Sequence, residues 1–326
     1  MVKPTRIPVN ARAHVDAPKV ARQVVKQRVR AAVQYWEQVA RRDKPRVEDI
    51  HQLRVWCRRS IAALQLFAPL LNSQHTEELS RILNKARKRA GPARDYDVLL
   101  KTLDKSSRTL LRHALALFRE RREEAAAKLR KAYRKQIRSG KVRDLLRELL
   151  KTPAATAKQN GKAPRRVEFG PWFQRQFAAV VVPFRKLLLP AKPSLRGIHP
   201  LRIEGKRVRY ALEIGLPALP EPAGAELYAA LESLQEQLGQ ICDHQAHAQQ
   251  YRDLAKELPP AQRRSLIAAA KRHDQEAKVG YQKFVRWWSS SRGRKQLLRF
   301  LTAACTPPTT KVAAAPRKSR QRRKSQ

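Results

Sequence analysis

The stretch Ile50-His51-Gln52-Leu53-Arg54-Val55-Trp56-Cys57-Arg58-Arg59 recurs as Ile198-His199-Pro200-Leu201-Arg202-Ile203-Glu204-Gly205-Lys206-Arg207. The same offset of 148 positions carries Lys44-Pro45 onto Lys192-Pro193, Leu64 onto Leu212 and Pro69 onto Pro217. It also carries Leu79, Leu83, Gly91 and Asp95 onto Leu227, Leu231, Gly239 and Asp243. A fixed offset held over roughly fifty residues marks a duplicated unit.

On a helix advancing about 100° per residue, His51, Arg54 and Arg58 fall on one narrow stripe. Leu53, Trp56, Leu64 and Phe67 lie opposite and face a core. In the second copy His199, Arg202, Lys206 and Arg209 make the stripe, opposed by Leu201, Val208 and Leu212. Solvated helices usually mix signs, as Arg119-Glu120-Arg121-Arg122-Glu123-Glu124 does. A stripe of one sign repels itself unless an anion occupies it.

The chain's 326 residues suffice for one large or two moderate cores. Lys and Arg number 71 against 27 Asp and Glu, a net charge of +44. Such a surplus opposes compaction and points to a polyanionic partner: nucleic acid, an anionic membrane surface or inorganic polyphosphate. No apolar run is long enough to span a bilayer. Residues 1–16 lack an uninterrupted apolar core, so no secretory signal is expected. Cys57, Cys242 and Cys305 are odd in number and form no CxxC, which fits idle thiols in a reducing cytoplasm.

Taken in order, residues 1–16 read as a loose arm. A helix is expected from about Ala17 to Arg42, with Arg22, Lys26 and Arg30 along a basic face. Asp43-Lys44-Pro45 breaks it, and the first signature helix follows from about Val47 to Leu71, ending near Pro69. Asn72-Ser73 opens the next helix, about Thr76 to Ala90, which bears Arg81, Lys85, Arg87, Lys88 and Arg89 with no acid among them. Gly91-Pro92-Ala93-Arg94-Asp95 is expected to interrupt, with Asp95 capping a further short helix. Ser106 or Ser107 opens a long segment to about Arg138, and Lys141 to Leu150 closes the first half. Residues 152–167 read as a linker.

The second half starts near Phe169, with its signature helix from about Leu195. A helix from Ala223 to Gln240, another from Gln245 to Leu258 and a long segment after Pro259-Pro260 follow. Leu297-Leu298-Arg299-Phe300-Leu301 then echoes Leu145-Leu146-Arg147-Glu148-Leu149. The tail, 304–326, is basic and without apolar period, so disorder is expected. No alternating strand pattern appears. The expected class is all-α: two homologous four-helix bundles from an internal duplication, 17–151 and 168–303, related by a pseudo-twofold.

With these motifs in hand, the sequence resembles the conserved histidine α-helical domain, CHAD. The resemblance rests on His51-x-Leu-Arg54-x-x-x-Arg58-Arg59 and His199-x-Leu-Arg202-x-x-x-Lys206-Arg207-x-Arg209-Tyr210. Gly91-x-x-Arg94-Asp95-x-Asp97-Val98-Leu99 and Leu238-Gly239-x-x-x-Asp243 support it, and it covers roughly residues 17–303. The resemblance implies two four-helix bundles with a basic surface or pore between them. It also implies non-enzymatic binding of inorganic polyphosphate and a place on cytoplasmic polyphosphate granules.

The halves differ in detail: Arg94 aligns with Cys242, and Lys85, Arg87, Lys88 and Arg89 align with Ser233, Gln235, Glu236 and Gln237. The third helix of the first half is therefore expected to carry more of the anion contact. The acidic ExExK signature of the triphosphatase domain found in some relatives is absent from the sequence.

On this reading Arg54, Arg58, Arg202 and Lys206 lead the phosphate contacts, guanidinium groups forking onto phosphate oxygens and ammonium groups acting as point charges. Arg59, Arg207, Arg209, Arg94 and the helical cations Arg22, Lys26, Arg30, Lys85, Lys88 and Arg89 complete the expected set. His51 and His199 recur without a partner carboxylate or nucleophile at fixed spacing, so phosphate contact is favoured over general-base catalysis. Their protonation is then expected to strengthen binding below about pH 6.5. Asp95 and Asp243 read as helix caps or partners of the signature arginines. His244 and His247 offer metal-ligand spacing with only Cys242 beside them, and no metal or cofactor is expected. The competing function is nucleic-acid binding or condensation, for which net charge and the Arg317–Lys324 tail suffice. Against it, the basic stripes lack interleaved aromatics and no reader motif is present.

Overall fold

The structure, a computed structural model, describes residues 5–8, 10–102, 112–151 and 166–306. The expected Ser106-Ser107 helix start, nearly all of the expected linker and the tail from residue 307 lie outside them. Among the described residues the regular structure is helical. The one pairing of extended backbone is an isolated antiparallel bridge, Asp16 with Glu168. Among the described residues, no helix is long and apolar enough to cross a membrane.

In the first half, α1 (Ala17–Ala40), α2 (Val47–Leu66), α3 (Ser73–Thr102), α4 (Arg112–Tyr133) and α5 (Lys141–Lys151) follow one another. In the second come α6 (Phe169–Leu187), α7 (Ile198–Gly215), α8 (Ala223–Ala255), α9 (Pro260–Ser289) and α10 (Arg294–Cys305). Local chemistry explains the boundaries. Pro18 opens α1, where a missing N–H costs nothing. Glu48 and Asp49 sit in the first turn of α2, at the positive end of its dipole. Asn72 Oδ1 accepts from the His75 N–H at 3.0 Å and so caps α3. Pro69 and Pro217 each sit in a short 3₁₀ turn that ends α2 and α7. Gly140, at φ +83°, supplies the left-handed step between the π-turn at Arg134–Arg138 and α5.

Two expected breaks are absent. α3 runs unbroken through Gly91-Pro92, and α8 runs unbroken past Asp243. Pro92 removes one helix bond, a cost of about 3 kcal/mol in an isolated helix. Ala86, Ala90, Ala93 and Leu99 on the same helix are all buried, and that packing holds the helix across the proline. Asp95 and Asp243 are consequently mid-helix residues and cap nothing.

α2 packs on α1 and α3, and α4 packs on α3 and α1; α7 packs on α6 and α8, and α8 packs on α9 and α10. The halves meet along α2 and α7, and α6 also touches α1 and α2. One continuous apolar core runs through that seam. Phe67 at the end of α2 stacks on Trp172 of α6 at 5.3 Å between ring centroids, with Phe169 beside both. A second, smaller core joins the far ends of α3 and α4 to α8 and α9 through Leu99, Phe118, Tyr251, Leu254 and Leu266. Trp288 is buried and Trp287 half-buried at the end of α9.

The seam also encloses charge. Glu213 of α7, fully buried, accepts from Arg59 Nε at 2.8 Å and Nη2 at 3.0 Å. Arg28 of α1 stands 3.7 Å from the same carboxylate and donates to the carbonyls of Arg59 and Tyr210. The three cysteines are free, and burial pushes their thiols up, Cys57 to about 12. They are inert as nucleophiles.

Candidate anion-binding groove

α2 and α7 lie side by side and share a groove of about 520 Å³ that takes in most of their signature stripes, with His51 outside the lining. Arg54 and Arg58 line one wall, and His199, Arg202, Lys206 and Arg207 line the other. Arg87 of α3 completes the lining, and no carboxylate belongs to it. The reason is helical phase: Leu53 and Trp56 on α2, and Leu201 and Val208 on α7, are buried in the core, which turns the opposite faces into the groove.

Two glycines set the approach of the signature arginines. Arg54 Nη1 passes over Gly91, where an added Cβ would meet it at 2.9 Å, and donates to the Arg87 carbonyl at 3.1 Å. That acceptor lies one residue before the carbonyl of Lys88, which Pro92 leaves without its helix donor. On the other wall Arg202 Nη2 lies over Gly239 with more room, 3.9 Å, and donates to Asp243 Oδ1 at 3.0 Å. Asp95 stands within the field of Arg54. Asp243 is thus the ion-pair partner of its signature arginine, whereas Asp95 acts on Arg54 through its charge alone.

Burial first, and crowding of like charges second, set the electrostatics. Burial and neighbouring guanidinium groups lower Arg54 to about 10 and lower Arg58 as well. Lys206 is brought down to about 7, by burial first and then by Arg202 and Arg58. Burial first, and then Arg94, hold His51 below the ordinary histidine value. An anion entering this groove relieves repulsion already present in the fold.

The other expected contacts are distributed elsewhere. Arg59 is not in the groove: its guanidinium is buried on Glu213 and lies over the rings of Trp56 and Tyr210. Arg209 is likewise diverted, held between Glu232 at 3.4 Å and Glu213 at 3.7 Å. Lys26 and Arg30 line a separate cleft between α1 and α5. Arg22 is half-buried on α1. Lys85 and Arg89 line a small recess with Glu78 and Lys141, and Lys88 is exposed. Arg94 stands by His51 rather than in the groove lining.

Arg87 is the groove cation that the list of expected contacts passed over. It shares the stripe of Asn84 and Gly91, at helical steps of three and four, and Asn84 Oδ1 holds its guanidinium at 2.8 Å. The glycine was the available signal, because it marks the face of α3 that Arg54 crosses.

His244 and His247 meet His273 of α9, with the Nδ1 atoms of His244 and His273 2.8 Å apart. Among the described residues no group of three or more His, Cys, Asp or Glu side chains is arranged to hold a metal ion.

Two solved structures share this architecture. The CHAD domain from the plant Ricinus communis superposes with a TM-score of 0.61 at 18% identity, over 93% of this chain and 96% of that one. PptA from Streptomyces chartreusis gives 0.53 at 17% identity, over 82% of this chain and 99% of that one. At such identities the likeness is one of fold. None of the curated proteins matches the chain. The model of the CHAD domain matches residues 25–252, most of the chain, and the protein therefore belongs to the CHAD domain family.

Proposed function

We propose that the groove between α2 and α7 binds inorganic polyphosphate without chemical turnover, and that this places the protein on cytoplasmic polyphosphate granules. The observation that carries the reading is the lining itself: Arg54, Arg58, Arg87, Arg202, Lys206 and Arg207 in one groove with no acid among them. A phosphate chain offers oxygens at every turn to guanidinium forks and needs no base recognition. His199 at the groove's edge adds a ring nitrogen, and the basic tail adds unselective attraction. Membership of the CHAD family, a group often linked to polyphosphate metabolism, supports the same ligand. On this proposal the two walls descend from one duplicated helical bundle, and the pseudo-twofold between the copies lets a single chain meet both signature helices.

Nucleic acid fits the groove less well. The one large aromatic ring in its lining, Tyr210, is buried against the guanidinium groups of Arg59 and Arg209 and is not presented to a base for stacking. The test is a competition at physiological salt between long-chain polyphosphate and duplex DNA of matched total charge, on protein lacking residues 307–326. Displacement of DNA by polyphosphate is the expected result. Preferential retention of DNA would overturn the reading.

A further inference from the structure

Lys206 is the sole amine in the groove lining; the other strong cations there are guanidinium groups, which stay charged at any working pH. Its side chain is half-buried on α7, and the strongest charged influences on it are Arg202 and Arg58, with Arg209 adding to them. The one carboxylate that acts on it, Asp243, is already held by Arg202 at 3.0 Å. An amine enclosed by cations and shielded from water gives up its proton readily, and Lys206 does so near pH 7. A neutral amine is a nucleophile, whereas an exposed lysine at the same pH is almost wholly ammonium. The groove thus places a nucleophile next to a site for phosphate.

We propose that Lys206 is a modification site for small acyl phosphates. The phosphate end is held by Arg58, Arg202 and Arg207, which sets the adjoining carbonyl carbon within reach of the amine. The nitrogen lone pair attacks that carbon and a C–N bond forms. The carbon–oxygen bond to phosphorus breaks, and inorganic phosphate leaves with the electron pair. The proton shed by nitrogen passes to the departing phosphate or to water. Nothing is oxidised or reduced, and the guanidinium groups stabilise the charge gathering on the leaving group. The product amide is neutral and permanently removes one cation from the groove. Its effect on polyphosphate affinity rests on the function proposed above, but the reactivity itself does not.

The test uses the full chain and acetyl phosphate, with site occupancies followed by peptide mass spectrometry from about pH 6 to about pH 9. Exposed Lys26, Lys85 and Lys88 serve as references in the same sample. At neutral pH Lys206 is expected to be acetylated roughly tenfold faster than these, since its larger neutral fraction outweighs its lower basicity. Its rate should level off above about pH 8, where the amine is almost wholly neutral. Arg58→Gln should lower the rate at Lys206 and leave the references unchanged. Acetylation of Lys206 no faster than Lys26, or with the same pH profile, overturns the proposal. Added polyphosphate separates the two readings. Fast acetylation without protection by polyphosphate refutes polyphosphate binding in the groove and leaves the modification site standing. Tight polyphosphate binding with ordinary reactivity at Lys206 does the reverse.

Discussion

Arg59 and Glu213, on helices from opposite halves of the chain, form a two-pronged ion pair in which neither group reaches solvent. Arg28 closes on the same carboxylate, so one buried acid faces two buried guanidinium groups. Removing the acid alone would leave both cations enclosed and uncompensated. Glu213→Gln is therefore expected to cost about 3–5 kcal/mol, the range for breaking one side of a buried pair. Chemical denaturation of the variant beside the parent chain measures it. A loss below about 1 kcal/mol, the range of exposed pairs, would show that the seam does not depend on this contact.

The groove's pH response should come from Lys206 rather than from His51. Its pKa in the folded protein, about 7, lies below that of an exposed lysine, so unfolding takes up a proton between about pH 7 and about pH 10. The ligand-free protein should accordingly gain stability as pH rises through that window. A bound polyanion favours the ammonium form, so affinity should rise as pH falls through about 7. Lys206→Arg should flatten both profiles, as read by thermal unfolding and by calorimetric titration with polyphosphate. His51→Ala should leave them in place, because burial holds His51 below its ordinary value and it stands outside the groove lining.

Gly91 and Gly239 are equivalent in sequence and unequal in space. A methyl group at Gly91 would push Arg54 Nη1 from its place over the helix, because only 2.9 Å is available; at Gly239 the corresponding distance to Arg202 is 3.9 Å. Gly91→Ala should thus weaken polyphosphate binding while the flexible end of Arg54 absorbs the clash without unfolding. Gly239→Ala should leave binding unchanged and add up to about 1 kcal/mol of helix stability. Equal loss of affinity in both variants would contradict the different geometries.

Much of the architecture was legible because it depends on periodicity. The positions of Leu53, Trp56, Leu201 and Val208 fix which face of each signature helix is buried, and hence which face is cationic. The helices continue through Gly91-Pro92 and past Asp243 because packing overrides the local propensity for a break there. Arg59 was misplaced for a related reason. It follows Arg58 directly, and a single residue's 100° of helical rotation carries it from the groove into the seam, where Glu213 waits 154 positions away in sequence. No local pattern announces a partner at that distance. Lys206 resembles any helical lysine until the guanidinium groups around it are placed in three dimensions.

The most direct measurement is the affinity of a double variant, Arg58→Gln with Lys206→Gln, for long-chain polyphosphate. These two cations face each other across the groove, and no carboxylate among the described residues forms an ion pair with either, so their loss should leave the helices intact. Each charge-assisted contact is worth about 1.5–3 kcal/mol, so the pair predicts a loss on the order of a hundredfold or more at physiological salt, with unchanged helicity. The slope of log affinity against log salt should also shrink by roughly 0.7 for each cation removed. Unchanged affinity and slope in a folded double variant would place the polyphosphate site outside the groove.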